Sequence, residues 1–340
     1  MTNRTASPSP IAVRFWGVRG SVPSPITPAA LEAKVLAALA MGQERPLPPK
    51  GDPEALKAWA REHLPFAARS TFGGNTTCVE VRCGDELLVL DMGTGIRELG
   101  MALMPQTLKD RGIRGTILQS HVHWDHIQGY PFWPQLYMPR GAFDNHFSFF
   151  GGKEWDRSLE DALRGQMNAP MFPVDHRELE KTALRMSFDT VWDGRVITLP
   201  SASGDIRILC RKLNHPQETY GYRIEHRGAV VAFCTDHEPY AGIHRPLVEL
   251  AKDADLFITD CQYTFHEYTG ASGGVQKLGW GHSYPEYIAE VAQLAKARTV
   301  VTTHHDPTAN DGHVVNIAAA VGRLSGVRTV PAHEGLLLTV

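Results

Sequence analysis

Residues 120–129 read SHVHWDHIQG, with three histidines and an aspartate inside the six positions from His121 to His126. One reading is a solvated loop whose histidines are neighbours by accident. The other is a metal site, because neutral imidazole and carboxylate are ligands for zinc, manganese and iron. If Ser120 ends a strand, His121 and His123 are two apart in extended chain and point to the same side. Asp125 and His126 follow where the chain turns. One pair of nitrogens can hold one cation, and the Asp125/His126 pair a second, at the about 3.5–4 Å separation of two-metal sites. Four groups do not complete such a site, so more ligands are expected downstream. His215 follows ILCRKLN, Asp236 follows VVAFCT, and His304 and His305 follow TVVTT. Each alone reads as a polar loop residue; beside the dense motif they read as a set.

The elements that must position them are mostly β. Residues 11–17 (IAVRFWG) read as a first strand, followed by the Gly/Pro/Ser turn VRGSVPSP. TTCVEVRCG and ELLVLDMGTG form two strands joined by Gly84 and Asp85, a hairpin signal, and GTILQS leads into the histidine motif. Further strands are expected at GRVITLP, DIRILCRKL, TYGYRIEH, AVVAFCTD, DLFITD, RTVVTT and GLLLTV. Helices are expected at 157–168, 244–252, 283–296 and 312–324. Two β-rich blocks, each followed by helices, predict two sheets packed face to face with helices outside, and no linker divides the chain. At about 26–70, apolar residues at Leu31, Val35 and Leu39 and the stretch PEALKAWAREHL predict a helical insertion, broken by RPLPPKGDP. It reads as a lid, a dimer contact or exposed decoration.

Composition narrows the classes. A formal net charge of −3 gives no global basic field for nucleic acid. Cys78, Cys83, Cys210, Cys234 and Cys261 are odd in number and never spaced Cys-x-x-Cys, so they read as reduced core thiols. No stretch approaches the roughly 18 apolar residues of a membrane span, and MTNRTASPSP lacks the core of a signal peptide, so a cytoplasmic protein is expected.

His-x-His-x-Asp-His, then a lone His, an Asp and a His, each at a strand end and in that order, resembles the metallo-β-lactamase fold superfamily. The likeness spans about residues 11–305, and LLVLDMGTG resembles the family's earlier strand-turn motif. It implies an α/β fold, an αββα sandwich of two mixed sheets forming one domain over 1–340. It also implies two divalent metal ions, zinc foremost, with manganese or iron as alternatives. His121, His123 and His215 would hold the first; Asp125, His126 and His304 the second; Asp236 would bridge them. His305 is the fallback for His304, and Asp91 would brace the metal loop from behind.

FWGVRGSVPSP, FGGNTTCVEV and GWGHSYPEYIAEVAQLA resemble the phosphodiesterase branch that includes RNase Z and bacterial cyclic-nucleotide phosphodiesterase-like hydrolases. Ser283 and Glu286 read as a capping box, with Ile288, Val291, Ala292 and Ala295 as the apolar face. That places His282 just before a helix start, where an anion is favoured. By the resemblance, His282 protonates the leaving oxygen, while a metal-bridging hydroxide attacks phosphorus; Asp125 or Asp236 could orient the water. Gly279 and Gly281 would let backbone approach the substrate. Arg19 reads as a surface arginine or a phosphate contact.

The region between Tyr130 and Pro200 lacks the basic Gly/Pro-rich arm with which RNase Z holds tRNA, so a small or cyclic phosphodiester is favoured over a polynucleotide. Trp124, Phe132, Trp133 and Tyr263 are candidates for stacking or core. The alternatives are a lactone, thioester or β-lactam hydrolase on the same site, tRNA 3′-end cleavage, or a non-hydrolytic metal protein.

Overall fold

The strand Ile11–Gly17 alternates buried and half-buried positions, sending Ile11, Val13 and Phe15 into one layer. That layer lies between two seven-stranded sheets of the computed structural model, which describes residues 10–340 apart from 272. In the first sheet the order is Leu337–Thr339, Ile11–Gly17, Cys78–Cys83, Glu86–Leu90, Arg114–Leu118, His146–Gly151 and Arg185–Thr190. In the second it is Arg328–Pro331, Thr299–Thr303, Leu256–Asp260, Ala229–Cys234, Thr219–His226, Ile206–Leu213 and Val196–Leu199. Each sheet is half antiparallel and half parallel. In the first, pairing turns parallel from Glu86–Leu90 onward, and in the second from Ala229–Cys234 onward.

Parallel neighbours require crossovers, and these supply the outer layers. Gly95–Asp110 covers the outer face of the first sheet through Ile96, Leu99 and Leu103, packed with Val89, Ile117 and Phe147. Arg245–Ala251, Pro285–Ala295 and Asp311–Ser325 cover the second, with Leu247, Ile288, Val291 and Ile317 against Ala232, Phe257 and Val300. All five cysteines are buried and unpaired. Among the described residues no helix is long and apolar enough to cross a membrane.

The insertion forms Pro28–Gln43, Pro53–His63 and Phe66–Arg69, the first two capped by Thr27 and Asp52. Lys34 ties it down, reaching the Asp311 carboxylate and the carbonyls of Ala67 and Ser70. The stripe of Leu31, Val35 and Leu39 does not face inward: each is at least half exposed, and the helix has no buried residue.

Candidate metal centre

Three site residues leave their strands in the same way. Asp91 follows Glu86–Leu90, Asp236 follows Ala229–Cys234 and His304 follows Thr299–Thr303, with φ of 62°, 51° and 55°. This left-handed conformation is uncommon for side-chain-bearing residues, and Asp and His are among the types that adopt it most often. Asp236 and His304 turn off their strands toward the Nε2 atom of His126, whereas Asp91, wholly buried, turns behind the histidine motif to meet His126 Nδ1 and Ser120. From the first sheet, Arg114–Leu118 leads to Ser120 and His121, His123 begins a single helical turn, Trp124–Ile127, and Asp125 and His126 lie within that turn. His215 comes from the connection between Ile206–Leu213 and Thr219–His226.

These residues converge. His121, His123, His215 and Asp236 each offer a ligand atom, all within 4.8 Å of one another, and Asp125, His126 and His304 do the same. Asp236 stands between the groups, its carboxylate 3.6 Å from His121 Nε2, 3.3 Å from His126 Nε2, 3.2 Å from His304 Nε2 and 4.0 Å from His215 Nε2. Asp125 lies 3.3 Å from His126 and 3.1 Å from His304.

The opposite ring nitrogens are anchored. His126 Nδ1–H donates to Asp91 at 2.8 Å, His304 Nδ1–H donates to Gln262 at 3.0 Å, and His121 Nδ1 lies 3.0 Å from Ser120 Oγ. Asp91 also accepts from the Ser120 amide and hydroxyl. Orientation through Nδ1 leaves Nε2 for the crevice. Fit to cations follows from this: the Nε2 atoms of His121 and His215 are buried with no hydrogen-bond partner among the described residues. Unpartnered buried nitrogens are costly in a protein interior, and a divalent cation satisfies them.

The electrostatics agree. Burial opposes ionisation of Asp125 and Asp236, but the imidazoles of His126 and His304 outweigh it and hold both carboxylates well below their usual range. Burial, with neighbouring imidazoles, keeps His121 well below its ordinary value and takes His215 down to about 4. His126 goes the other way: burial disfavours its charge, yet Asp236, Asp125 and Asp91 raise it well above the ordinary value. A cation held by His126 Nε2 would compete with the proton these carboxylates favour. Metal uptake should therefore release protons, read by calorimetric titration in buffers of different ionisation heat; heats independent of buffer would contradict it.

Sequence reading needs correction at several places. His305 does not enter the crevice: its Nε2–H donates to the Ala332 carbonyl at 2.9 Å, and burial takes it down to about 3. Arg19 is neither a surface arginine nor a phosphate contact. It is buried and donates to the carbonyls of Gly73, Asp306 and Ala309. Ser283 and Glu286 form no capping box: the helix begins at Pro285, its N-cap is Tyr284, and the Ser283 hydroxyl donates to the His237 carbonyl. Gly279 and Gly281 offer no amide to a substrate, because Glu238 accepts both at 2.7 and 2.8 Å. Gly281 is needed for a different reason: with φ at 88°, a Cβ there would sit 2.2 Å from the His215 ring. Gly20 meets the same limit against His304, at 2.4 Å, and the next residue, Ser21, donates its amide to Asp125. Of the aromatics, Trp133 and Tyr263 are buried, whereas Trp124 and Phe132 are exposed.

His282 sits at the edge of the cluster. Its ring lies 5.0 Å from that of His304, it can share a cation with His304 and Asp236, and its Nδ1–H donates to Asp260 at 3.2 Å. Burial lowers its affinity for a proton, but Asp260, Asp236 and Asp125 more than compensate, and the net shift is upward. Sequence reading missed Asp260, Gln262 and Glu238. Asp260 ends the strand DLFITD and carries the strand-end signal that marked Asp236. Gln262 and Glu238 carry no such signal, since both act through groups remote in sequence.

The family model for the beta-lactamase superfamily domain matches residues 88–305. No curated protein matches the sequence. Among solved structures, the chain is similar to the metallo-beta-lactamase fold protein YhfI from Bacillus subtilis, with 14% identity, 97% of this chain and 100% of that one covered, and a TM-score of 0.60. It is also similar to unliganded yeast PDE1, at 14% identity, 98% and 100% coverage and a TM-score of 0.59. Human tRNase Z, short form, follows at 16% identity, 97% and 99% coverage and a TM-score of 0.56. At such identities the likeness is one of fold, and it agrees with the two mixed sheets and outer helices. The match over more than half of the chain, on a metallo-β-lactamase fold, establishes that this protein belongs to the beta-lactamase superfamily.

Proposed function

We propose that the protein is a metal-dependent hydrolase of small or cyclic phosphodiesters. His121, His123 and His215 would hold one divalent ion, Asp125, His126 and His304 another, with Asp236 shared and zinc the first choice. Bound there, such ions supply acidification of water and neutralisation of phosphoryl charge.

The observation that carries the phosphodiester reading is His282. With Nδ1–H on Asp260, its Nε2 is the atom available to the side of the crevice where Asp236 and His304 stand. An imidazole held in that tautomer, with its proton affinity raised by carboxylates, is suited to donate a proton to a leaving alkoxide. Asp125 accepts from the Ser21 amide and faces two imidazoles, which fits holding a cation better than moving a proton. The net charge of −3 favours a small substrate over a polynucleotide.

The test is hydrolysis of bis(p-nitrophenyl) phosphate by protein reconstituted with Zn²⁺ or Mn²⁺, beside a generic lactone. Metal-dependent diester cleavage is expected. Lactone turnover without diester cleavage would move the assignment to carbonyl chemistry.

A further inference from the structure

Beyond the metal cluster, the loop at 277–281 carries a cation in an unusual setting. Lys277 Nζ lies 4.0 Å from the ring centre of Trp280 and 5.6 Å from that of Tyr263. No carboxylate pairs with it among the described residues. Tyr263 is buried, and its ring meets the His282 ring edge-on, at 5.8 Å and 72°. Tyr263 thus touches both the ammonium of Lys277 and the ring of His282.

Hydrogen bonds hold the loop in this position. The Lys277 amide donates to the Tyr268 carbonyl at 3.0 Å, and the Trp280 amide donates to the Lys277 carbonyl at 3.1 Å. Glu238, fully buried, accepts from Gly279, Gly281 and the Tyr268 hydroxyl. A lysine side chain ordinarily loses much rotamer freedom on binding a ligand. Here the backbone and two ring faces have already restricted it, so less is lost when an anion arrives. Aromatic faces attract an ammonium without neutralising it. The charge remains available for a charge-assisted hydrogen bond.

We propose that Lys277, set between Trp280 and Tyr263 on the His282 side of the crevice, is a binding subsite for a second anionic group, carried on the leaving-group portion of the substrate. This subsite rests on the phosphodiesterase reading above, and it narrows the substrate class. Simple diesters are then poorer ligands than diesters whose departing alcohol bears a phosphate or carboxylate.

Calorimetric titration of the metal-loaded protein with adenosine 5′-monophosphate and adenosine 3′,5′-bisphosphate tests it without turnover. One phosphate can occupy the metal centre, and the second must find another cation. The wild type should prefer the bisphosphate by about tenfold, the scale of one hydrogen bond to a charged group. Lys277→Gln should lose that preference, and Lys277→Arg should keep most of it. No preference in the wild type, or an equal preference in Lys277→Gln, would overturn the subsite. A Lys277-dependent preference in a protein that cleaves no diester would support the subsite and remove the phosphodiesterase reading. Cleavage of bis(p-nitrophenyl) phosphate with no such preference would do the reverse.

Discussion

Replacement of His282 by alanine should lower kcat for diester hydrolysis by about 10²–10⁴-fold, the range of a positioned general acid, while the bound metal stays at the wild-type level. The two readouts together are decisive. His282 can share a cation with Asp236 and His304, so a ligand role would also explain lost activity, but it would take metal with it. A second variant separates the acid from a mere filler of space. Asp260 accepts the His282 Nδ1–H, and its carboxylate is among the groups that hold the imidazole above its ordinary value. An acid works only while protonated, so the rate should fall as pH rises through the His282 pKa. Asp260→Asn removes a charge that favours the protonated form, and this alkaline limb should move to lower pH. Cations held at Asp236 and Asp125 would offset the help those carboxylates give His282, which would leave Asp260 as the support that persists in the metal-loaded protein. An alkaline limb unmoved in Asp260→Asn would remove His282 from the proton-transfer step.

Much of this centre was legible because ligand chemistry is written in residue types. His and Asp at strand ends stand out against the apolar strands that carry them, and the strands themselves alternate or run apolar as buried sheets require. Conformation is not written that way. Nothing in the letters at Asp91, Asp236 or His304 announces a left-handed backbone, although it is this turn that aims each side chain inward. The helix Gly95–Asp110 went unread because Gly95, Gly100 and Pro105 interrupt its pattern, and only the sheet beneath explains why Ile96, Leu99 and Leu103 share a face. Strand Arg185–Thr190 alternates, with Met186 and Phe188 half-buried between exposed polar residues, but the two apolar positions are too few to stand out in the letters alone. Pairing with His146–Gly151 makes it a strand.

Long-range polar contacts were the other hidden class. Arg19 looked like a solvent-facing cation, yet the carbonyls it serves are 54, 287 and 290 residues away. Glu238 is the same case on the functional side. Its partners lie at 268, 279 and 281, and only folding shows that one buried carboxylate fixes the loop bearing both His282 and Lys277. The capping-box pattern at Ser283 failed for a local reason: proline at position 285 suits the first helical turn, and it moves the start beyond the serine.

Asp236→Ala should have the widest effect of any single change, because one carboxylate serves both halves of the centre. Its oxygens stand 3.2–4.0 Å from the Nε2 atoms of His304, His126, His121 and His215. Losing a residue that merely supports a metal ligand costs about 10–100-fold in affinity; Asp236 would contact the ions directly, so the loss should exceed that range. After dialysis, metal content measured by atomic emission should fall well below the wild-type value, with diester hydrolysis reduced to background. The thermal transition supplies an independent readout. A ligand that binds only the folded state raises its stability in proportion to the logarithm of ligand over Kd, so Zn²⁺ should raise the Tm of the wild type and leave that of Asp236→Ala nearly unchanged. The variant also withdraws the charge that most favours protonation of His126, whose pKa should drop toward its ordinary value, and proton release on any residual metal binding should shrink with it. Retention of full metal content by Asp236→Ala would show that the two groups of ligands bind independently, and would remove Asp236 from its place between them.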